Sequence, residues 1–184
     1  MPQTRRLSRQ DWIDAAFEAL ESGGVPAVAV EPLAARLGVT KGSFYWHFKD
    51  RSELLAAALE QWERETTEWL IERLTAIDDP RERLQTWGRR VLGREKALLT
   101  ALHAAADNPV VAPVLHRVTE RRIKYLADVL RDGGISPALA RRRARLLYAA
   151  DLGLYQITRA VPDEKPTDAE VRRMADELVE GFLR

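Results

Sequence analysis

A short stretch near the N-terminus, from Thr40 to Lys49, concentrates side chains that suit contacts with phosphates and with base edges. Thr40 and Lys41 stand where a helix is expected to begin, and free amides and the helix dipole attract a phosphate there. Gly42 has no side chain, so nucleic acid could approach the backbone closely. The hydroxyl, ring and cationic groups that follow belong to Ser43, Tyr45, Trp46, His47 and Lys49. These residue types predict a surface that contacts nucleic acid.

Apolar residues around this stretch have the spacing of two short helices joined by a turn. The residues expected to lock these helices against the first helix are Leu33, Leu37, Val39, Phe44 and Phe48. Gly38 supplies a left-handed residue that ends the second helix, and Thr40 is expected to cap a third helix that runs to about Phe48. A helical segment rich in aromatic residues is often ordinary core. Tyr45, Trp46 and His47 are consecutive, however, so they cannot all face inward.

The segment from Leu33 to Arg51 resembles the helix-turn-helix signature of the TetR (tetracycline-repressor) family. In that signature a Gly-Val-Ser/Thr turn, here Gly38 to Thr40, precedes an aromatic-rich recognition helix that ends Tyr-x-His-Phe, here Tyr45 to Phe48. The resemblance covers roughly residues 8 to 60 strongly, and beyond them only helix number and layout are similar. Val28 and Ala29 depart from the pattern, because many relatives have Ser or Thr at the start of the second helix. Trp46 is bulkier than many residues at its position, so it could stack on sugar and methyl groups as easily as read a base.

The resemblance implies a homodimer that grips a palindromic DNA operator and releases it when a small molecule binds the C-terminal domain. It implies phosphate contacts from Thr40, Tyr45, His47 and Lys49. The residues it places nearest the bases are Lys41, Gly42, Ser43 and Trp46.

Outside this motif the chain is predicted to be all-α, with about nine helices, because apolar residues recur at steps of three and four. The expected organisation is a helix-turn-helix DNA-binding domain at residues 1–50, followed by a ligand-binding and dimerisation domain at residues 51–184. Ser8 with Asp11 predicts a capped first helix that ends at Gly23–Gly24. A long fourth helix after Asp50 is expected to link the two domains.

Composition indicates a packed globular protein, since 46% hydrophobic residues accompany 31% charged residues. The formal net charge of +1 gives no general basic excess, so any affinity for DNA must come from local placement of charge. The absence of cysteine excludes disulfides, thiolate nucleophiles and cysteine zinc sites. We expect a cytoplasmic protein without a membrane span, cofactor or metal.

The eighth predicted helix, from Pro137 to about Arg159, carries apolar residues around most of its circumference. Gly153 permits close approach of another helix, and the ninth predicted helix carries a second apolar stripe that includes Met174 and Phe182. These two helices predict a four-helix homodimer interface. The alternative is that the eighth helix is the central helix of a monomer.

The predicted C-terminal domain also mixes aromatic and polar side chains as small-molecule pockets do. The expected ligand-binding residues are Trp62, Trp69, Trp87, His103, His116, Tyr148, Asp151 and Tyr155. They favour a small apolar or aromatic effector. The resemblance to the TetR family implies regulation of transcription, with repression as the expected form. Control by a protein partner is the alternative. An enzyme is the rival class, but no nucleophile–base pair, phosphate loop or metal spacing supports catalysis.

Two further clusters have simpler explanations than chemistry. His103, Asp107 and His116 have the spacing of metal ligands, but a pocket-lining or surface role is favoured because no Glu-rich or Cys-rich neighbours accompany them. The arginines at 141, 142, 143 and 145 could bind nucleic acid, although a solvated helix face explains them better.

Overall fold

The computed structural model describes residues 7–92 and 97–184, and every regular element in these two ranges is helical. The helices are α1 (Arg9–Ala27), α2 (Val30–Arg36), α3 (Lys41–Phe44), α4 (Arg51–Glu63), α5 (Trp69–Thr75), α6 (Pro80–Val91), α7 (Ala97–Ala104), α8 (Val111–Asp132), α9 (Pro137–Ala160) and α10 (Asp168–Phe182). A π-helical turn, Arg64–Glu68, joins α4 to α5, and a short 3₁₀ turn, Pro162–Glu164, follows α9. With α4, the π-turn and α5 counted as one continuous helix, the described part has nine helices, and the predicted all-α class is confirmed. None of these helices has both the length and the apolarity needed to cross a bilayer.

The described residues divide into two units. The N-terminal unit comprises residues 7–66 and 97–117, and the C-terminal unit comprises residues 67–92 and 118–184. In the N-terminal unit α1 packs against α4 and α7 as well as α2. The DNA-binding module therefore shares a unit with segments that lie beyond residue 50, and the functional boundary at residue 50 stays a prediction.

Helix α1 begins where its sequence predicts, but it bends at Gly24 and continues to Ala27 instead of ending at Gly23–Gly24. Ser8 and Asp11 form the predicted capping box, in which the Ser8 hydroxyl accepts from the Asp11 amide. The fully buried side chains of Trp12 and Leu20 face the core of the N-terminal unit. Gly24 has a φ of 66°, which only glycine adopts readily, and the helix kinks there before one more turn.

The helix from Arg51 to Thr75 begins as predicted, because the Asp50 carboxylate accepts a hydrogen bond from the Glu53 amide. Regular helical spacing predicts that Trp62 and Trp69 lie on one face of this helix, and that expectation is wrong. Trp62 is 3% exposed, whereas Trp69 is 45% exposed. The π-turn between them inserts a wider turn into the helix and so breaks the 3.6-residue periodicity on which the prediction rested.

The C-terminal unit has an apolar core of side chains from α5, α6, α8, α9 and the C-terminal end of the chain. Its fully buried members include Leu84, Leu130 and Leu147. Helix α10 packs on α6 at Gly88, where an added Cβ would lie 3.0 Å from the Ala175 Cβ. Part of the predicted α10 stripe is therefore used within the chain.

Candidate nucleic-acid interface

The turn between α2 and α3 is fixed by local backbone geometry. Gly38 has a φ of 69°, in the left-handed region that the sequence predicts. The Val39 amide donates to the Ala34 carbonyl over 3.0 Å, which closes the end of α2. Leu33 and Ala34 are buried beneath the turn. The two short helices are thus held at a fixed angle, as a helix-turn-helix requires.

The α3 segment and the residues after it have one buried face and one exposed face. Phe44 and Phe48 are 0% and 2% exposed and stack on each other, and Phe44 also meets the edge of Trp12. Tyr45 and Trp46, in contrast, are 58% and 86% exposed. Such large aromatic side chains in water are unusual unless they meet a partner. Tyr45 and Trp46 are therefore not core residues.

The residues predicted to contact DNA lie together on this solvent face. Together with Leu7, five of them line a shallow surface depression: Thr40, Gly42, Ser43, Trp46 and His47. A Cβ at Gly42 would meet only the Thr40 hydroxyl, at 3.6 Å, so the backbone there is open to close approach. The Lys49 side chain is 86% exposed at the end of the segment. Thr40 occupies the N-cap position, but its side chain makes no capping hydrogen bond, so the predicted cap hydroxyl is wrong in this respect.

Lys41 is held by a carboxylate of the preceding helix. Its Nζ lies 2.5 Å from Oε1 of Glu31, and both side chains are largely exposed. The hydrogen bond to Glu31 raises the pKa of Lys41, and the same bond lowers the pKa of Glu31. A residue predicted to lie nearest the bases is therefore partly neutralised in the free protein.

Two arginines of the module have structural partners. The Arg51 guanidinium donates to the carbonyls of Val28 and Val25 over 2.5 and 2.6 Å. Ala29, at the start of α2, has no side-chain cap, as its sequence predicts. The hydrogen bonds of Arg51 fix the chain just before it. Arg36 donates to the Ala15 carbonyl and pairs with Glu18. These roles are tertiary, so sequence reasoning about local charge missed them.

The predicted ligand-binding residues are divided between the two units. Trp62, His103 and His116 belong to the N-terminal unit, where Trp62 is buried and both histidines are exposed. His103 Nδ1 lies 2.8 Å from the Leu99 carbonyl oxygen. The other five, in the C-terminal unit, are Trp69, Trp87, Tyr148, Asp151 and Tyr155. In the described residues, no three His, Cys, Asp or Glu side chains lie close enough together to hold a metal ion.

Within the C-terminal unit, Tyr148 and Asp151 come together around Arg122. Tyr148 and Asp151 are 6% and 4% exposed, and both raise the pKa of Arg122, while burial of the guanidinium lowers it more. Arg122 Nε donates to the Thr67 hydroxyl over 2.9 Å. Arg122 is absent from the predicted ligand-binding residues, although its spacing from Val118 and Leu126 places it on an apolar stripe of α8. The signal in the sequence was a charged residue at a position that the helical spacing places in the core.

Trp69 has a different environment, because two arginine side chains lie close to its exposed ring. The guanidinium carbons of Arg73 and Arg90 lie 4.9 and 5.5 Å from the centre of the indole. Cation–π attraction of this kind stabilises a surface aromatic side chain. In the described structure Trp69 is thus a surface residue.

These observations define a helix-turn-helix within the N-terminal unit of an all-helical fold. Residues 13–58 match the family described as bacterial regulatory proteins, tetR family. An uncharacterized HTH-type transcriptional regulator of Pseudomonas putida, TtgW, is 44% identical over 52 residues, which make up 28% of this chain and 39% of that protein. The first curated relatives that the chain matches are thus covered over 39% of their length or less.

The likeness of the fold extends over the whole chain. A putative transcriptional regulator from Saccharomonospora viridis, solved in complex with choline, has a TM-score of 0.79 at 18% identity and is matched over 94% of this chain and 95% of that one. A putative TetR-family regulator from Mesorhizobium loti has a TM-score of 0.73 at 22% identity, over 100% of this chain and 97% of that one. Residues 13–58 thus match the tetR family, the fold of the chain is that of these solved structures, and the predicted resemblance to the TetR family is confirmed.

Proposed function

We propose that this protein is a cytoplasmic homodimeric repressor that binds a palindromic operator and is released from it by a small apolar or aromatic effector. The observation that carries the proposal is the exposure of Tyr45 and Trp46 above the buried Phe44 and Phe48, within a tetR-family domain. An aromatic and cationic surface on a rigid short helix fits a DNA groove and its flanking phosphates.

The proposed contacts follow the geometry of the solvent face. Thr40, Tyr45, His47 and Lys49 bind phosphates and fix the register of the module on the duplex. The four residues proposed to lie nearest the bases are Lys41, Gly42, Ser43 and Trp46. The open backbone at Gly42 supports the close approach that this arrangement needs.

Dimerisation through α9 and α10 is supported by an exposed stripe on α9. Leu146 and Ile157 are 61% and 51% exposed, and Ala150 and Gly153 lie between them at helical spacing on the same face. Apart from its chain neighbours and the backbone of α9, no described atom lies within 4 Å of a Cβ built at Gly153, so a second helix could approach the backbone there. A two-fold dimer would place this stripe against its copy.

Effector control is proposed through the predicted ligand-binding residues of the C-terminal unit, with the buried pair Tyr148 and Asp151 as polar anchors. An effector releases the operator when it binds more tightly to a conformation of the dimer in which the two helix-turn-helix segments no longer fit both half-sites. We expect operator affinity to fall 5–150-fold, typical of a coupling of about 1–3 kcal/mol. Control by a protein partner is the alternative. Apolar compounds that bind and quench tryptophan fluorescence without changing operator affinity would favour it.

The test is salt-dependent binding to operator DNA found by footprinting, with half-sites about one helical turn, 34–36 Å, apart or a multiple of that. The double variant Tyr45→Ala, Lys49→Ala should bind all duplexes more weakly and lower the slope of log affinity against log salt by about 1. Circular dichroism checks that the variant is folded, and Arg142→Ala, an exposed cation on α9, is the matched control. Unchanged affinity in a folded double variant would contradict the proposal.

A further inference from the structure

The start of α1 lies beside the recognition segment, residues 41–49. Leu7 lines the same surface depression as Trp46 and His47, and Ser8 and Arg9 follow it as the cap and the first residue of α1. The DNA contacts predicted from the sequence include none of these first three residues. A duplex that meets the depression therefore also comes close to the first turn of α1.

Arg9 extends from this turn over the end of the recognition segment. Its guanidinium carbon lies 4.6 Å from the centre of the Phe48 ring, which is almost fully buried. The attraction between a guanidinium and an aromatic ring restricts where the charge of Arg9 can lie. The Arg9 side chain is nevertheless 51% exposed, and the well-exposed side chain of Lys49 follows Phe48 directly. Two cations from different elements thus lie at the same end of the segment.

The carboxylate that pairs with Arg9 is a weak partner for it. Arg9 Nη2 lies 3.4 Å from Glu53 Oε1, a single long contact between half-exposed side chains. The other oxygen, Glu53 Oε2, accepts a hydrogen bond from the Lys49 amide over 2.8 Å. An exposed ion pair contributes little to stability, whereas a phosphate can accept two charge-assisted hydrogen bonds from one guanidinium. A DNA phosphate could therefore replace Glu53 on Arg9 while Glu53 keeps the Lys49 amide.

The carboxylates at the starts of α1 and α4 are used as caps. The Asp11 carboxylate accepts from the amide and the hydroxyl of Ser8, and the Asp50 carboxylate accepts from the Glu53 amide. Negative groups thus already occupy both helix ends, and another anion gains little from the helix dipole there. The group in this region that suits a phosphate is the Arg9 guanidinium.

We propose that Arg9 is a DNA-contacting residue that binds a phosphate of the operator beside the recognition segment and gives up Glu53 when it does so. This proposal rests on the proposed binding of operator DNA and adds a contact from α1. Contacts with phosphates from two separate elements fix the orientation of the module on the duplex. Because such contacts carry no sequence information, Arg9 strengthens binding to operator and to unrelated DNA by the same factor.

The first experiment measures binding of the full-length protein to a footprinted operator duplex, and to an unrelated duplex of equal length, over a range of salt concentrations. Arg9→Gln should lower the slope of log affinity against log salt by about 0.9 for each protomer bound, because one phosphate contact is lost. Both duplexes should bind more weakly by the same factor, at least about threefold. Arg9→Lys keeps the charge and should keep most of the slope.

Arg64→Gln is the matched control, since Arg64 is an exposed arginine of the same unit at the opposite end of α4. It should keep the wild-type slope. An unchanged slope in Arg9→Gln overturns the proposal even if affinity falls, because a purely structural role of Arg9 on Phe48 releases no counterions. A loss confined to the operator duplex also overturns it, because Arg9 would then contact a base.

The second experiment is a double-mutant cycle between Arg9 and Glu53. Glu53→Gln removes the competing charge, and the oxygen of the new amide can still accept from the Lys49 amide. We expect Glu53→Gln to strengthen DNA binding by about two- to fivefold, and we expect this gain to disappear when Arg9→Gln is also present. No gain, or the same gain in both backgrounds, overturns the exchange of Glu53 for a phosphate.

Urea unfolding of each variant checks that it is folded. If Arg9→Gln does not fold, Arg9→Met takes its place in both experiments, because its unbranched side chain keeps a contact with the Phe48 ring.

Comparison with the double variant Tyr45→Ala, Lys49→Ala separates this proposal from the broader one. If that double variant binds DNA weakly while Arg9→Gln keeps the wild-type slope, DNA binding by the recognition segment stands and the role of Arg9 is refuted. If both variants bind as the wild-type protein does, the proposed DNA-contacting surface is itself wrong.

Discussion

At the scale of single residues, Phe44 and Trp46 show how two neighbouring aromatic side chains serve different ends. Phe44 is fully buried between Trp12 and Phe48, whereas Trp46 is 86% exposed. Burial makes Phe44 part of the scaffold that orients the helix. Exposure makes Trp46 available to a partner.

Phe44→Ala should therefore destabilise the protein by about 3–5 kcal/mol, the range for removal of a buried Phe or Trp side chain. Trp46→Ala should change the free energy of unfolding by no more than about 0.5 kcal/mol and weaken binding to operator DNA. Urea unfolding and operator titration measure the two effects. A large loss of stability in Trp46→Ala would show that this side chain packs in the core.

Glu31 is a second residue whose effect can be predicted, because it holds Lys41 in the free protein. Glu31→Gln should strengthen binding to DNA by no more than about fivefold, since an exposed ion pair is weak and only its competition with phosphate is removed. Glu21→Gln, on the exposed side of α1, makes the same change of charge elsewhere and is the matched control. Equal gains in the two variants would mean that net charge, rather than release of Lys41, is responsible.

At the scale of elements, α9 has two dissimilar sides. One side buries Ala140, Ala144 and Leu147 in the core of the C-terminal unit. The opposite side exposes the stripe that contains Leu146 and Ile157. Within one chain the helix is covered on one side only, and a second copy of the stripe is the cover that we propose.

The double variant Leu146→Glu, Ile157→Glu should thus be monomeric, because apposed carboxylates would replace apolar contacts across the two-fold axis. Its operator affinity should fall steeply, because a monomer has one helix-turn-helix and binds only one half-site. Light scattering at micromolar concentration gives the mass, and Ala138→Glu at the exposed start of α9 should remain dimeric. A dimeric double variant would assign dimerisation to another surface.

At the scale of the whole molecule, stability at alkaline pH depends on Tyr125. Burial raises the pKa of Tyr125 to about 12, from an ordinary value of 10.0. The folded protein holds this proton more tightly than the unfolded chain, so the contribution is fully present below pH 10.0. Stability then falls as the pH rises from 10.0 to about 12.

Tyr125→Phe should remove this part of the alkaline loss of stability and leave stability near pH 7 close to that of the wild-type protein. Urea unfolding at a series of pH values measures it. Tyr155→Phe, at a half-buried tyrosine of α9, is the matched control. An unchanged alkaline slope in Tyr125→Phe would assign the loss to other groups.

The sequence by itself determined most of the helix boundaries and the exposed position of Tyr45 and Trp46. Capping boxes at Ser8 and Thr167, and the left-handed turn at Gly38, are local devices whose geometry depends on neighbouring residues alone. The outward position of Tyr45 and Trp46 followed from their adjacency to Phe44, because consecutive residues cannot share a helix face.

Only the tertiary structure decided which charges are available and how the long helix is built. The hydrogen bonds of Arg36 and Arg51 to carbonyls of distant residues, and the pairing of Lys41 with Glu31, join residues that no local pattern connects. The π-turn at Thr67 separates Trp62 from Trp69, and its partner Arg122 is 55 residues away in the chain. Local periodicity alone predicts a regular α-helix through Thr67. The physical reason for the difference is that burial of Arg122 and its need for an acceptor act across the fold, where no spacing rule applies.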